Sequence, residues 1–174
     1  SSREAGLRDI RRLRDLIPSL GISFMPYRDD DWFVQRTRRE YFDAVRNDHL
    51  ERSVIFFDPD TGLQTGSEKY MSREGPEKYL LYSELFSIWS RASDHSAVVV
   101  YQHLQQNAKK RVDDVERRLV EVGALLKAST FAVRWQDLAF IAAARDEKGA
   151  SRLRFALQQY AHRLQVAVSE GVSQ

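Results

Sequence analysis

Two short, continuous apolar runs constrain the fold of this chain more than any other feature. They are Val54-Ile55-Phe56-Phe57 and residues 97–101, and both are rich in β-branched and aromatic residues. Such runs are typical of strands covered on both faces, as in parallel sheets flanked by helices. Helical apolar patterns follow each run, over residues 78–92 and 107–122. We therefore expect an α/β fold with a three-layer Rossmann-like sheet, mostly parallel and flanked by helices.

The end of the chain predicts a different kind of strand pairing. Two β-like stretches, residues 125–135 and 138–144, are separated only by Gln136-Asp137. Two residues between such stretches indicate a tight antiparallel hairpin. We therefore expect a C-terminal antiparallel hairpin at one edge of the sheet, followed by a last helix from residue 150 to about 168.

Length and composition bound the organisation of the chain. Its 174 residues, 43% hydrophobic and 30% charged, are typical of an ordinary globular protein with one real core. We expect a single α/β domain over residues 1–174, and the start at Ser-Ser-Arg without Met suggests that an N-terminal segment is missing. No apolar run approaches the ~20 residues that span a bilayer, so we expect no membrane and a cytoplasmic protein.

Composition also excludes some kinds of chemistry. The chain has no cysteine, which rules out disulfide scaffolds, zinc–thiolate sites and thiol nucleophiles. It carries no Walker-type phosphate loop, no Gly-x-Gly-x-x-Gly, no nucleophile elbow and no His-Glu-x-x-His. The formal net charge of +2 neither demands nor excludes a nucleic-acid partner.

Carboxylates follow the first apolar run directly. Asp58 comes at its end, Pro59 stiffens the exit, and Asp60 follows two residues later. In open parallel sheets, ligands bind outside the carboxyl ends of the strands. Two carboxylates placed there can hold Mg²⁺ or Mn²⁺, or accept hydrogen bonds from a substrate amine. The alternative is purely local, since an Asp-Thr-Gly sequence also forms Asx-type turns.

The second apolar run ends in Tyr101-Gln102-His103. A histidine at a strand end can act as a base, a metal ligand or a hydrogen-bond donor, although many such residues only bind a neighbouring loop. If the two runs are adjacent parallel strands, His103 lies near Asp58. Tyr101 and Gln102 are then candidates for contacting a substrate.

The long loop after Asp60 and the helix that follows it add further candidates. Lys69, Arg73 and Lys78 are cations that can grip phosphates, and Glu84 can assist at the site. Tyr82 is a candidate for stacking on a base, although aromatic residues at helical spacing are more often core.

The order strand, helix, strand, helix and hairpin after Asp58 resembles the second half of a class I, S-adenosylmethionine-dependent methyltransferase. Residues 54–60 resemble the strand and Asp-Pro-Pro-aromatic motif with which amino-methyltransferases hold a target amine. Asp58 and Pro59 fit this motif, whereas Asp60 replaces its second proline and Thr61 its aromatic residue. The glycine loop that binds the cofactor would lie upstream and is not found in the sequence.

Three motifs also resemble an uncharacterised bacterial protein family over residues 50–145. They are Phe-Asp-Pro-Asp-x-Gly-Leu at residues 57–63, Lys-Tyr-x-x-x-x-Glu at 78–84 and Tyr-Gln-His at 101–103. The resemblance brings no established activity. It implies a shared site made of Asp58, Asp60, Lys78, Glu84 and His103.

Three functions follow from these observations. The first is a methyltransferase-like enzyme that acts on an amine in nucleic acid or a nucleotide, with S-adenosylmethionine as methyl donor and Asp58 as acceptor for the amine. The second is a metal-dependent phosphodiesterase or nuclease, in which Asp58 and Asp60 hold Mg²⁺ or Mn²⁺ and His103 acts as base. The third is a non-catalytic Rossmann-like binding module.

Overall fold

The computed structural model describes residues 23–28, 35–66, 75–104 and 107–171. By its internal contacts the chain divides into two compact units, Ser1–Val34 and Gln35–Gln174. Every helix and strand below belongs to the second unit. The prediction of one domain over residues 1–174 stays a prediction.

The second unit contains strands and helices in alternation. The strands are β1 (Val54–Phe57), β2 (Gly62–Leu63), β3 (Tyr79–Leu80), β4 (Ala97–His103), β5 (Ser129–Trp135), β6 (Leu138–Ala144) and β7 (Ala167–Gly171). The helices are α1 (Arg38–Asp43), α2 (Tyr82–Arg91), α3 (Arg111–Leu126) and α4 (Glu147–Leu164). Short 3-10 turns lie at Gln35–Thr37, Asn47–Leu50, Pro76–Lys78 and Ala108–Lys110. No described helix is long and apolar enough to cross a bilayer.

The main sheet has five strands in the order β1-β4-β6-β5-β7. Only β1 and β4 pair in parallel, and the three other neighbouring pairs in this sheet are antiparallel. The mixed α/β class is confirmed, but the prediction of a mostly parallel sheet is wrong. The cause is the hairpin: β6 turns back from β5 and inserts beside β4, so one reversed strand creates two antiparallel pairs. The unpredicted strand β7 adds a third.

The hairpin itself is confirmed, although it does not lie at the sheet edge. Its turn is Gln136-Asp137, and Gln136 has a φ of 55°. Positive φ at a turn residue fits the twist of a two-residue hairpin. The result is that β1, β4 and β5 run in one direction, while β6 and β7 run in the other.

One face of the sheet packs against helices. Alternation along β4 directs Val98 and Val100 to this face, where both are buried against the helical layer. The helices α2 and α3 form that layer, and Trp89 fastens them together by donating from Nε1 to the Leu126 carbonyl at 3.0 Å. The α3 helix ends at Lys127, which takes the left-handed conformation common at helix ends.

The opposite face is covered only in part. Asp146 starts α4 by accepting a hydrogen bond from the Gly149 amide, and the helix then packs on Phe131 and Ala144. Over β1 none of the described helices packs on this face, and Val54 is 70% and Phe56 49% exposed. This open half of the sheet leads directly to the edge where β1 and β4 end.

Candidate functional site

The parallel pairing of β1 with β4 brings the two predicted strand ends together. Phe57 lies opposite Val100, so Asp58 leaves β1 beside the residues that end β4. His103 is the last residue of β4, at the same edge of the sheet as Asp58.

The carboxyl of Asp58 is unusual in its environment. Its pKa is raised above the ordinary value of 3.8, mainly because partial burial penalises the charged form. The neighbouring charge of Asp60 raises the pKa further, and His103 opposes both effects. Asp58 therefore holds its proton more tightly than an ordinary aspartate, and its ionised form gains from a hydrogen-bond donor or a cation.

Tyr101 and His103 form one unit on the open face of the sheet. The Tyr101 hydroxyl lies 3.2 Å from His103 Nε2, within hydrogen-bond distance. Their rings meet edge to face at 5.1 Å between centroids. This contact orients the imidazole at the end of β4.

Aromatic rings extend this unit across the open face. The Tyr101 ring lies 5.9 Å from Phe140, and Phe140 lies 6.3 Å from Phe56. We call these residues, Phe56, Tyr101, His103 and Phe140, the aromatic surface. The apolar run 54–57 predicts a strand covered on both faces, so this surface is not predicted from the sequence. The apolar run alone carries no sign that one side of an edge strand is exposed.

Gln102 points to the opposite face and is buried, with 3% of its surface exposed. Its Oε1 accepts from the Leu63 amide at 2.9 Å, and its Nε2 donates to the His103 carbonyl at 2.6 Å. The His103 amide in turn donates to the Thr61 carbonyl at 3.1 Å. The predicted substrate-binding residue Gln102 thus fastens β4 to the segment that follows Asp60.

Gly62 makes this fastening possible. It has a φ of 121°, which disfavours side chains, and a Cβ there would lie 2.5 Å from the Gln102 amide. The Thr61 amide next to it donates to the Lys78 carbonyl at 3.0 Å. The backbone of Lys78 is therefore held beside the site, and its side chain is half-buried.

Glu84 is engaged in a buried ion pair. Both its oxygens accept from Arg38, with Arg38 Nη2 at 2.7 Å from Oε2, and Oε2 also accepts from the Leu81 amide at 2.9 Å. Arg38 reaches the Pro76 carbonyl at 2.6 Å as well. In this position Glu84 caps the start of α2 and holds Arg38 to the segment before β3.

Tyr82 also lies in a polar network. Its hydroxyl accepts from Arg118 Nη1 at 2.8 Å and donates to the Glu121 carboxylate. Burial is the main reason that the pKa of Tyr82 is raised to about 12. These contacts tie α2 to α3, so the described position of Tyr82 is that of a packing residue.

Two predicted residues and the predicted metal site remain. Lys69 and Arg73 lie outside the described residues. The metal site proposed for Asp58 and Asp60 stays a prediction, and within the described ranges no three His, Asp or Glu side chains are grouped to hold an ion. Asp58 and Asp60 follow β1 at the edge where β4 ends, with Tyr101 and His103 on one face of the sheet and Gln102 buried on the other.

Comparison of the chain with protein families, with curated proteins and with solved structures returned no match.

Proposed function

We propose that the edge formed by Asp58 and the aromatic surface binds the amino group of a nucleobase, in a protein with a methyltransferase-like sheet. The observation that carries the proposal is the parallel pairing of β1 with β4, which brings Asp58 out of β1 at the edge where β4 ends. The raised pKa of the Asp58 carboxyl supports it. Burial and a neighbouring like charge raise the pKa of a carboxyl group because they destabilise its ionised form. An N–H donor therefore stabilises this carboxylate more than it stabilises an ordinary one.

The aromatic surface supports a flat, ring-shaped ligand. Phe56, Phe140 and Tyr101 form a continuous path that ends at His103, whose charge acts on Asp58. Aromatic side chains stack on nucleobases with little regard to sequence, because every base has a π-face. A base lying on this path would bring an exocyclic amine towards the Asp58 carboxylate.

The sheet supports the methyltransferase resemblance in its final part. Parallel strands β1 and β4 are followed by an antiparallel hairpin, which is how the fold of class I methyltransferases ends its sheet. Methyl transfer to the bound amine is the reaction class that this resemblance implies, and S-adenosylmethionine would supply the methyl group. The residues that support the proposal, Asp58 and the aromatic surface, concern the amine. The proposal therefore rests on the amine site.

A pair of nucleotides that differ in one amine tests this site. AMP carries an exocyclic amine where IMP carries an oxygen, and both have the same phosphate. By calorimetry we expect AMP to bind roughly 10 to 100 times more tightly than IMP, since a hydrogen bond to a charged group contributes about 1.5–3 kcal/mol. Asp58→Ala should abolish this preference, whereas Asp43→Ala, at an exposed aspartate of α1, should retain it.

Equal affinities for AMP and IMP in the unmodified chain would contradict the proposal. So would a preference that survives Asp58→Ala. The same titration with S-adenosylmethionine tests the methyltransferase resemblance separately, because donor binding need not depend on Asp58.

The metal-dependent alternative has one observation in its favour. The charge of Asp60 raises the pKa of Asp58, and a divalent cation would relieve this repulsion. In that case Mg²⁺ or Mn²⁺ alone should raise the melting temperature, and the shift should disappear in Asp58→Ala. Metal-stimulated cleavage of DNA, RNA or nucleotides would then be the activity to measure.

A further inference from the structure

A groove lies on the helical side of the sheet, at the end remote from the candidate site. The C-terminal ends of α2 and α3 form its walls, together with Arg145, which follows β6. Ala144, just before Arg145, pairs with Ala97 at the start of β4, whereas His103 ends that strand. The volume of the groove, about 390 Å³, lies within the range of about 300–1,000 Å³ that is typical of small-molecule sites.

The walls of this groove are apolar. We call it the helix-end groove, and its apolar lining residues are Phe86, Trp89, Leu125 and Leu126. Trp89 and Leu126 belong to the buried core, and the hydrogen bond from Trp89 Nε1 to the Leu126 carbonyl fixes their positions. Phe86 is 48% exposed, so an apolar ligand that covers it gains from removing its ring from water.

The charged residues of the groove are cations. Lys127 and Arg145 line it, and none of the described lining residues is acidic. The guanidinium of Arg145 is held in place, since it lies 4.7 Å from the centre of the Trp89 ring and its Nη2 donates to the Trp89 carbonyl. Lys127 is exposed at the end of α3. The groove therefore combines an apolar wall with a fixed positive charge.

The present partner of Arg145 can be replaced. Arg145 Nη1 donates to Asp94 at 3.2 Å, and the side chain of Asp94 is 72% exposed. An ion pair with so exposed a carboxylate contributes little to stability. A carboxylate that enters the groove can therefore take the place of Asp94 at Nη1.

We propose that the helix-end groove binds a small hydrophobic carboxylate, that is, an apolar chain or ring with one carboxylate group. The apolar part covers Phe86 and Leu125, and the carboxylate accepts from Arg145, with Lys127 adding positive charge. A guanidinium suits this group because its planar donors match the two carboxylate oxygens. A free small molecule fits better than a protein segment, because seven described residues line the groove and a standard protein interface has about 20–30 residues on each side.

Octanoate and 1-octanol are a matched pair of probes, because they share an alkyl chain and differ in the charge of the head group. Titration of the full chain followed by two-dimensional NMR gives both the affinity and the place of binding. We expect octanoate to bind roughly three to ten times more tightly than 1-octanol, since its head meets two cations in a partly hydrated groove. The largest shifts should be those of the Trp89 indole and of the amides of residues 125–127.

Three variants separate the head from the tail. Arg145→Gln should weaken octanoate binding, and Lys127→Gln, which leaves the core untouched, should weaken it by roughly threefold while 1-octanol binding stays the same. The matched control Lys148→Gln removes an exposed lysine of α4 and should change neither affinity. Ser90→Trp places a large ring in the groove from its exposed rim and should abolish the binding of both probes.

Four results would overturn the proposal. Octanol that binds as tightly as octanoate, or octylammonium that binds more tightly, would contradict an anionic ligand. Octanoate binding that survives Ser90→Trp would contradict the site. An acetylated tetrapeptide with a C-terminal leucine carboxylate that binds this groove more tightly than octanoate would contradict a free small molecule.

Discussion

Replacing Gly62 by alanine should destabilise the protein far more than the same change at Gly66. Gly62 has a φ of 121°, and its new Cβ would lie 2.5 Å from the side-chain amide of Gln102. Gly66 has no positive φ and no heavy atom within 4 Å of an added Cβ, so it is the matched control. The comparison tests whether the Gly62–Gln102 contact fixes the segment that follows Asp58.

The expected cost has two parts. A non-glycine residue in such a backbone conformation costs about 1–3 kcal/mol. The Gln102 amide must also move, which endangers its hydrogen bond to the Leu63 amide, and a buried bond of this kind contributes about 1 kcal/mol. We expect a loss of about 2–4 kcal/mol, a large share of a typical domain stability of about 5–15 kcal/mol.

Urea denaturation followed by circular dichroism measures this loss as a shift of the midpoint. Gly66→Ala should change the free energy of unfolding by less than about 0.5 kcal/mol. In a Gln102→Ala background the steric part disappears, so Gly62→Ala should cost less there than in the unmodified chain. A loss at Gly62 no larger than at Gly66, or one unchanged by Gln102→Ala, would show that the contact between Gly62 and Gln102 does not fix this segment.

Three further predictions concern charged and polar groups. Because the folded-state pKa of Asp58 lies above 3.8, its carboxylate opposes folding at neutral pH, and Asp58→Asn should raise the melting temperature at pH 7. This gain should vanish below pH 3.8, where the carboxyl is protonated in both states, and a gain independent of pH would contradict the account. Glu84→Ala removes the carboxylate that neutralises the buried Arg38 and should cost about 3–5 kcal/mol in urea denaturation, whereas the exposed Glu116→Ala should be nearly neutral. The pKa of Tyr82, about 12 when folded and 10 when unfolded, should cause a loss of stability between pH 10 and 12 that is absent in Tyr82→Phe; identical alkaline melting curves would argue against it.

Periodicity in the sequence predicted the strands and helices well but not their order in the sheet. The runs that became β1, β4 and β6 were evident because each is apolar and bounded by turn residues. The insertion of β6 between β4 and β5 was not evident, because the turn of a hairpin does not determine which of its two strands pairs with the rest of the sheet. β7 was missed because its residues, Ala-Val-Ser-Glu-Gly, read as the continuation and end of the last helix.

The sequence predicts the residues of the candidate site that lie at the ends of the two strands. It does not predict the contacts that depend on partners distant in the chain. Asp58 and His103 come together because β1 and β4 are parallel neighbours, as their order in the chain suggested. The roles of Gln102 and Glu84 depend on partners far along the chain, Leu63 and Arg38, which no local pattern reveals.

The most direct test of the account is the pKa of Asp58 itself, measured by NMR titration of its side-chain carboxyl carbon with and without nucleotide. We expect a pKa above 3.8 for Asp58 in the free protein, which falls when AMP binds and stays high with IMP, because only AMP donates an amine hydrogen to the carboxylate. An Asp58 pKa that does not respond to AMP, or that responds equally to IMP, would contradict the claim that this carboxylate holds an amine.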